Sequence, residues 1–337
     1  MGVRELILPE HYEPKYDIRE TERAIKLVKD TFEKQLARNL NLERVSAPLF
    51  VRPESGLNDD LNGVERPVAF DLLESGYNVQ IVHSLAKWKR LALSSYGFAP
   101  GSGLYTDMNA IRRDESLDNL HSIYVDQWDW EKVITRGERN RETLQKTVEQ
   151  IYAALRETER VLCESFPKLV PFLPERVTFL ETEELLSRYP GCTPKERENQ
   201  AAKEYGVVFL QGIGAPLSDG APHDGRAPDY DDWGLNGDLL IWNPVLEIAF
   251  EVSSMGIRVD EKSLASQLAS AHCEDRARMP FHRALLAGEL PLTIGGGIGQ
   301  SRICMLLLQR AHIGEVQASI WSDEMVTVCR EHGITLL

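Results

Sequence analysis

Long apolar runs are missing from this chain. None approaches the roughly 20 residues that a membrane-spanning helix needs, and residues 1–20 are charged and polar where a secretory leader would carry an apolar centre. Paired cysteines are missing too. The five cysteines (Cys163, Cys192, Cys273, Cys304, Cys329) are scattered, odd in number and without a C-x-x-C, so reduced thiols and a cytoplasmic location are expected. The eight histidines include no H-x-x-x-H pair, which argues against structural zinc. Positive charge is scarce: the net charge of −14 opposes a broad nucleic-acid footprint. No internal repeat or low-complexity segment is present. What remains is an acidic chain of 337 residues, 42% hydrophobic, long enough for one large core or two modest ones.

Glycines alternate at Gly295, Gly297 and Gly299, followed by Arg302 and the apolar run Ile303–Leu308. Two nucleotide signatures are absent. Counted from Gly297, the sixth position of G-x-G-x-x-G is Arg302, no acidic residue about twenty further on closes a βαβ unit, and no G-K-[ST] occurs. Either the glycines let a strand pack tightly under a helix, or they form a bare ledge. On such a ledge an arginine near a helix N-terminus suits a phosphate or a flat base.

Residues 1–18 read as a loose arm with Pro9 and Pro14. Ile25, Val28, Phe32, Leu36 and Leu40 recur at helical spacing over 19–40, and 44–51 reads as a strand interrupted by Pro48. Residues 67–73 and 78–82 are strand-like. Ser84 is placed to cap a helix with the stripe Leu85, Trp88 and Leu91/Ala92. Lys87, Lys89 and Arg90 form a basic cluster there: either a solvated face, or a site where Lys89 reaches a bound carboxylate. Residues 104–112 and 122–133 read as strands around a polar loop. Period two puts Val125, Gln127 and Asp129 on one face, where an amide and a carboxylate suit an α-ammonium, or simply solvent.

Residues 140–166 read as a long amphipathic helix, with helices at 181–188 and 196–205 and strands at 177–180 and 207–210. The loop 212–232 carries an acidic cluster that fails as an EF-hand, because Trp233 and Leu240 occupy ligand positions. Residues 237–243 and 245–253 read as a hairpin in which Asp238 and Glu251 could face each other. Two such carboxylates fit Mg²⁺ on a phosphate, or else a salt bridge to Arg226 or Arg258. Helices at 261–271 and 274–287 precede the glycine strand. Strand pairs separated by helices predict an α+β fold with an antiparallel sheet.

The order G-x-G-x-G-x-x-R resembles motif 3 of class II aminoacyl-tRNA synthetases, 104–133 resembles motif 2, and 19–51 resembles motif 1. The stretches HSLAKWKR, HSIYVDQWDWE, RAPDYDDW, LNGD, SSMGIRVD and TIGGGIGQSR together resemble the aspartate–ammonia ligase family from about Arg19 to Trp321. That resemblance implies one class II synthetase-like catalytic domain over 19–337, working as a homodimer. It implies ATP and Mg²⁺ and a reaction of L-aspartate with free ammonia through a β-aspartyl-adenylate. An aspartyl- or asparaginyl-tRNA synthetase, or an inactive nucleotide-binding paralogue, is the alternative.

Carried over, Asp59, Ser84, Lys89, Gln127, Asp129, Tyr230, Asp231 and Ser254 would form the aspartate pocket. Lys89 would hold the α-carboxylate, and Gln127 and Asp129, with Asp231, the ammonium. Asp59 would take the proton from ammonium. Arg112 would grip the α-phosphate, and Arg302 would lie against adenine beside Leu120, His121 and Ser122, which act through backbone groups. Gly297 and Gly299 would underlie the nucleotide, Asp238 and Glu251 would hold Mg²⁺, and Arg226 and Arg258 would serve pyrophosphate. Residues 1–18 look like an extension of the family's usual start, and the loop after Trp233 looks short.

Overall fold

The computed structural model describes residues 6–58 and 65–337. Helix α1 (Ile18–Leu40) starts at a capping box, in which the Asp17 carboxylate accepts from the Glu20 amide at 2.8 Å and Glu20 accepts from the Asp17 amide at 3.2 Å. Val28, Phe32, Leu36 and Leu40 are fully buried, as the spacing predicts. The strand expected over 44–51 is broken. β1 (Leu42–Arg44) joins the main sheet, whereas β2 (Phe50–Val51) pairs in a separate small sheet of order β2-β4-β3, with β3 (Ala69–Asp71) and β4 (Asn78–Ile81). Pro48 lies between the two and cannot donate a ladder hydrogen bond.

The chain continues through α2 (Ala86–Tyr96), β5 (Gly103–Ile111), β6 (Tyr124–Val133), α3 (Arg141–Ser165), β7 (Thr178–Glu181), α4 (Thr182–Arg188), α5 (Pro194–Tyr205) and β8 (Val207–Gln211). β9 (Asp231–Asn243) and β10 (Ile248–Arg258) form a longer hairpin than expected, so the segment after Trp233 is strand rather than loop. Then come α6 (Glu261–Ser270), α7 (Pro280–Leu286), β11 (Thr293–Gly299), α8 (Gln300–Leu307) and α9 (Asp323–Glu331). The single helix expected over 274–287 is split into a 3₁₀ turn (Glu274–Arg278) and α7 by Pro280, which suits only a first helical turn.

Among the described residues the main sheet has the order β1-β5-β6-β11-β10-β9-β8-β7. Its interior is antiparallel, but the edge pairs β1/β5 and β7/β8 run parallel, so the expectation of an antiparallel sheet holds only for the middle. The fold is α+β. β6 shows how the two faces divide. Trp128 and Trp130 point into the core, where Trp128 meets Phe32 with ring centroids 4.8 Å apart. Gln127 and Asp129 alternate to the other face, which is the floor of the cleft described below.

The arm is not loose. Over residues 6–17 it lies along the body, with Tyr16 buried and the Tyr12 hydroxyl donating to the Glu315 carboxylate at 2.9 Å. Near this anchor His312 has no exposed surface. Its Nδ1 accepts from the Gly314 amide at 3.0 Å and its ring packs edge-on against Trp321. Burial pushes the imidazole down to about 4. A histidine whose folded value lies below its unfolded one costs nothing above about pH 6.5, and stability drains away as pH falls toward 4. The variant His312→Asn keeps an acceptor for Gly314 and should lose less stability over that window, by up to about 3 kcal/mol. Urea unfolding of both proteins at pH 7, 5.5 and 4.5 checks this.

Candidate active site

β6, β10 and β11 form the floor of a cleft of about 460 Å³, walled by the start of α2, the turn after β5 and the loop before β9. On the floor Gly297 is the register partner of Asp129, Gly295 of Glu131 and Gly299 of Gln127. A Cβ on Gly295 would collide with the Glu131 carboxylate, and one on Gly297 with the Gln127 amide. The bare strand therefore makes room for the polar side chains of its neighbour.

Those side chains form a buried ladder of alternating charge. Lys89 Nζ donates to Asp129, to the Trp130 carbonyl at 2.9 Å and to the Gly296 carbonyl at 3.2 Å, and lies 3.6 Å from Glu131. Glu131 accepts from Arg258 Nη2 at 2.8 Å and from the Thr293 hydroxyl at 2.7 Å. Arg258 Nη1 then donates to Asp231 at 2.5 Å. Burial alone would push the Glu131 carboxyl up, but Arg258 and Lys89 outweigh it and hold it below the ordinary glutamate value. Burial likewise works against charge on Arg258, and Glu131 and Asp231 more than offset it. The ladder holds three carboxylates and two cations, and at its end Arg226 Nε lies 3.9 Å from Asp231.

The basic cluster at 87–90 is no solvated face: Lys87, Lys89 and Arg90 are all buried. Lys87 pairs with Asp229 at 3.1 Å, while Arg90 donates to the Pro291 and Val259 carbonyls at 2.8 and 2.7 Å. Only Lys89 lines the cleft. Its three N–H bonds are already committed to the floor, so gripping an α-carboxylate requires exchanging one of them. Ser84 lines the wall, with Leu85 rather than Ser84 as the helix cap residue. Arg258, expected to serve pyrophosphate, is instead spent on Glu131 and Asp231. Asp59 lies outside the described residues.

The other half of the cleft is cationic. Arg112 follows β5, and its nearest carboxylate is Glu115 at 3.6 Å. Arg226 donates to Ser254 and, at 2.6 Å, to Asp238. In both arginines the buried Nε has no hydrogen-bond partner among the described residues, a geometry that an incoming anion would complete. Arg302, on the first turn of α8, donates to the Glu251 carbonyl at 3.0 Å and meets His121 Nε2 at 3.1 Å. The backbone amides of Leu120 and His121 are already taken by Asp118, at 2.7 and 2.8 Å, so these donors are not available to a base as expected. Ser122, Tyr230 and Ser254 also line the cleft.

Asp238 and Glu251 are not cross-strand partners. Asp238 lies opposite Ser254 and Glu251 opposite Leu240, with a register shift between Glu251 and Ser253. Burial pushes the Asp238 carboxyl up to about 7, with Arg226 pulling it down and Glu251 pushing it further up. Glu251 lines the cleft, and Asp238 lies behind Arg226. A buried carboxyl repelled by a second one, beside a phosphate-sized space, is a donor set that a hard divalent cation relieves. Among the described residues no group of three or more carboxylate, histidine or cysteine side chains gathers for a metal.

Of the expected residues, then, Arg112, Arg302, Glu251 and the 127/129/231 set surround one cleft. Glu131, the hub of the ladder, was missed. The period-two count that selected Gln127 and Asp129 reaches it in one further step.

The family model for aspartate-ammonia ligase matches residues 19–333. An aspartate–ammonia ligase of Ruminiclostridium cellulolyticum is 62% identical over 333 residues, covering 98% of this chain and 99% of that protein. One of Clostridium perfringens is 60% identical over 336 residues, covering 99% and 100%. At that coverage most of residues 1–18 fall within the aligned span, so they are no extension relative to these proteins. Among solved structures, asparaginyl-tRNA synthetase of Pyrococcus horikoshii complexed with asparaginyl-adenylate superposes with a TM-score of 0.67 at 14% identity, over 90% of this chain and 71% of that one. The Entamoeba histolytica asparaginyl-tRNA synthetase gives 0.65 at 14%, over 89% and 66%. The fold is that of the class II synthetase catalytic domain, and the chain belongs to the aspartate–ammonia ligase family.

Proposed function

We propose that this protein is an AMP-forming ligase that converts L-aspartate, ammonia and ATP to L-asparagine, AMP and pyrophosphate. The observation that carries the reading is one floor shared by two unlike halves. A buried ladder rich in carboxylates, ending 3.9 Å from Arg226 at Asp231, adjoins Arg112 and Arg226, whose Nε–H groups make no hydrogen bond among the described residues. The first half suits an α-ammonium, the second a phosphate chain.

In this reading Asp129 and Asp231, with Gln127, receive the ammonium of aspartate. Lys89 exchanges a carbonyl bond for the α-carboxylate, and Tyr230, Ser84 and Ser254 close the pocket. The side-chain carboxylate oxygen attacks the α-phosphorus of ATP, the bond to the β-phosphate oxygen breaks, and pyrophosphate leaves. Arg112 donates to the α-phosphate and the attacking carboxylate as charge gathers between them. Arg226 steadies the leaving pyrophosphate. Arg302 lies against the base over Gly297 and Gly299. Asp238 and Glu251 would hold Mg²⁺, which supplies charge neutralisation on the phosphates. Ammonia then attacks the acyl carbon of the mixed anhydride, AMP leaves, and the extra proton passes to solvent. No helix among the described residues is long and apolar enough to cross a membrane.

A homodimer is part of the proposal. The apolar stripe of α1 is spent on this chain's own core, and several of the exposed large apolar side chains cluster on the small sheet, which makes it the candidate contact. Phe50 and Phe70 are 41% and 40% exposed there, with ring centroids 5.5 Å apart, beside half-exposed Leu49.

Three outcomes are expected. Incubation with aspartate, ammonium, Mg²⁺ and ATP should yield asparagine, AMP and pyrophosphate in equal amounts without tRNA; formation of ADP instead of AMP would sink the mechanism. Arg112→Lys, which keeps charge but loses the fork, should lower kcat roughly 10²–10³-fold in the ATP–pyrophosphate exchange assay. Phe50→Glu with Phe70→Glu should shift the protein from dimer to monomer in sedimentation velocity, and an unchanged dimer would move the contact elsewhere.

A further inference from the structure

Beyond Arg302 the cleft has a side branch of about 250 Å³. Three apolar side chains face it, Ile7, Leu120 and Ile248, together with Asp118, Lys195 and Asn199, while Leu120, His121, Glu251 and Arg302 are shared with the main cleft. Ile7 belongs to the N-terminal segment, which has no role in the chemistry above. We infer that this segment is part of the nucleotide site: Ile7 is the outer wall of the recess that takes the adenine ring, and Asn119 is the positioning residue that holds it there. The inference rests on the reading that Arg302 and His121 seat the nucleotide.

The connection is built like a strand pairing. The Ile7 amide donates to Asn119 Oδ1 at 2.8 Å, and Asn119 Nδ2 returns a bond to the Ile7 carbonyl at 2.8 Å. The second hydrogen of that amide goes to the Ala311 carbonyl at 2.8 Å, and the Ile313 amide donates to the Asn119 carbonyl at 2.8 Å. Asn119 is 2% exposed, and its side-chain donors are fully used. One residue thus fixes residue 7, the 311–313 turn and the loop 118–122 to each other. In that loop Asp118 holds the Leu120 and His121 amides, and His121 reaches Arg302.

Downstream anchors keep the segment in register. The Tyr12 hydroxyl donates to Glu315, and the Lys168 amide donates to the Tyr16 hydroxyl at 2.8 Å. Gly333, with φ +76°, gives room to the Tyr12 carbonyl, which a Cβ there would approach to 2.8 Å. The recess combines the apolar faces of Ile7, Leu120 and Ile248 with the planar groups of His121 and Arg302 at its mouth and with Asp118 and Asn199 as hydrogen-bonding side chains. That combination suits a flat heteroaromatic base, with apolar faces for the ring and polar groups for its edge.

The test is titration of the full-length protein with ATP and with aspartate separately, alongside steady-state KM values, for the intact protein, Ile7→Ala, Asn119→Ala and a form lacking residues 1–8. The expected result is a five- to tenfold weaker Kd and KM for ATP in each variant, with the aspartate KM within twofold of the intact value. Combining Asn119→Ala with the deletion should weaken ATP binding no further than the worse single variant, because both break the same link. ATP affinity unchanged in Ile7→Ala and in the shortened form would overturn the inference. So would ATP and aspartate constants worsening together with a falling Tm, since the segment would then be only a stabilising strap. If the shortened form does not fold, Ile7→Ala decides, because it removes only part of one half-buried side chain. If the intact protein itself fails to bind ATP, the nucleotide reading of the cleft falls, which is a separate result from a variant matching an ATP-binding parent.

Discussion

The run Asp129–Lys89–Glu131–Arg258–Asp231 is the constraint from which most of the site follows. An isolated buried carboxylate or ammonium costs several kcal/mol, so each member is tenable only because its neighbours bear the opposite sign. The ladder draws on β6, α2, β10 and the start of β9, and it is threaded across β11. β11 has to be nearly without side chains at that crossing. Gly295 and Gly297 are where Glu131 and Gln127 lie, so the same bare backbone that would let a nucleotide approach is already required by the apo arrangement. Glycine there answers two demands at once, and substitution would break the ladder before any ligand arrived.

The elements were largely legible because their periodicities are long and clean. α1, α3 and the β5/β6 pair follow spacing that burial enforces. The misreadings have local physical causes. Pro48 and Pro280 divided segments whose hydrophobic pattern ran straight through them, and β9 and β10 extended past the polar residues that had suggested a loop. For the site, residue type and alternation found one face of β6, but the count stopped at Asp129. The basic cluster at 87–90 was ambiguous for a deeper reason. Three cationic positions among four look solvated until partners far away in sequence, Asp229, Asp129 and the carbonyls of Val259 and Pro291, come in to meet them. Such pairing is tertiary and leaves no mark in the local pattern.

The N-terminal segment illustrates the same point in reverse. Two prolines and mixed charge gave no periodicity, and the segment makes no regular element over residues 6–17. It is nonetheless ordered by single residues, the side chains of Asn119 and Glu315 and the bare backbone of Gly333, each lying more than a hundred residues away. A stretch without secondary structure can be as tightly specified as a strand when its backbone groups find buried partners.

Charge settles how one fold hosts different chemistry here. The class II framework is shared with tRNA synthetases at 14% identity, and at that distance the framework fixes only where strands and helices lie. This chain carries a net charge of −14, which repels a polyanion at long range. Several of its cations nonetheless line the cleft. Arg112, Arg226 and Arg302 face the space there, and screening by salt is weakest where water is excluded. A small anion that fits the cleft meets those guanidinium groups at close range, whereas an extended one meets the acidic exterior first. The placement of positive charge inside the cleft thus favours a small anion there over an extended one.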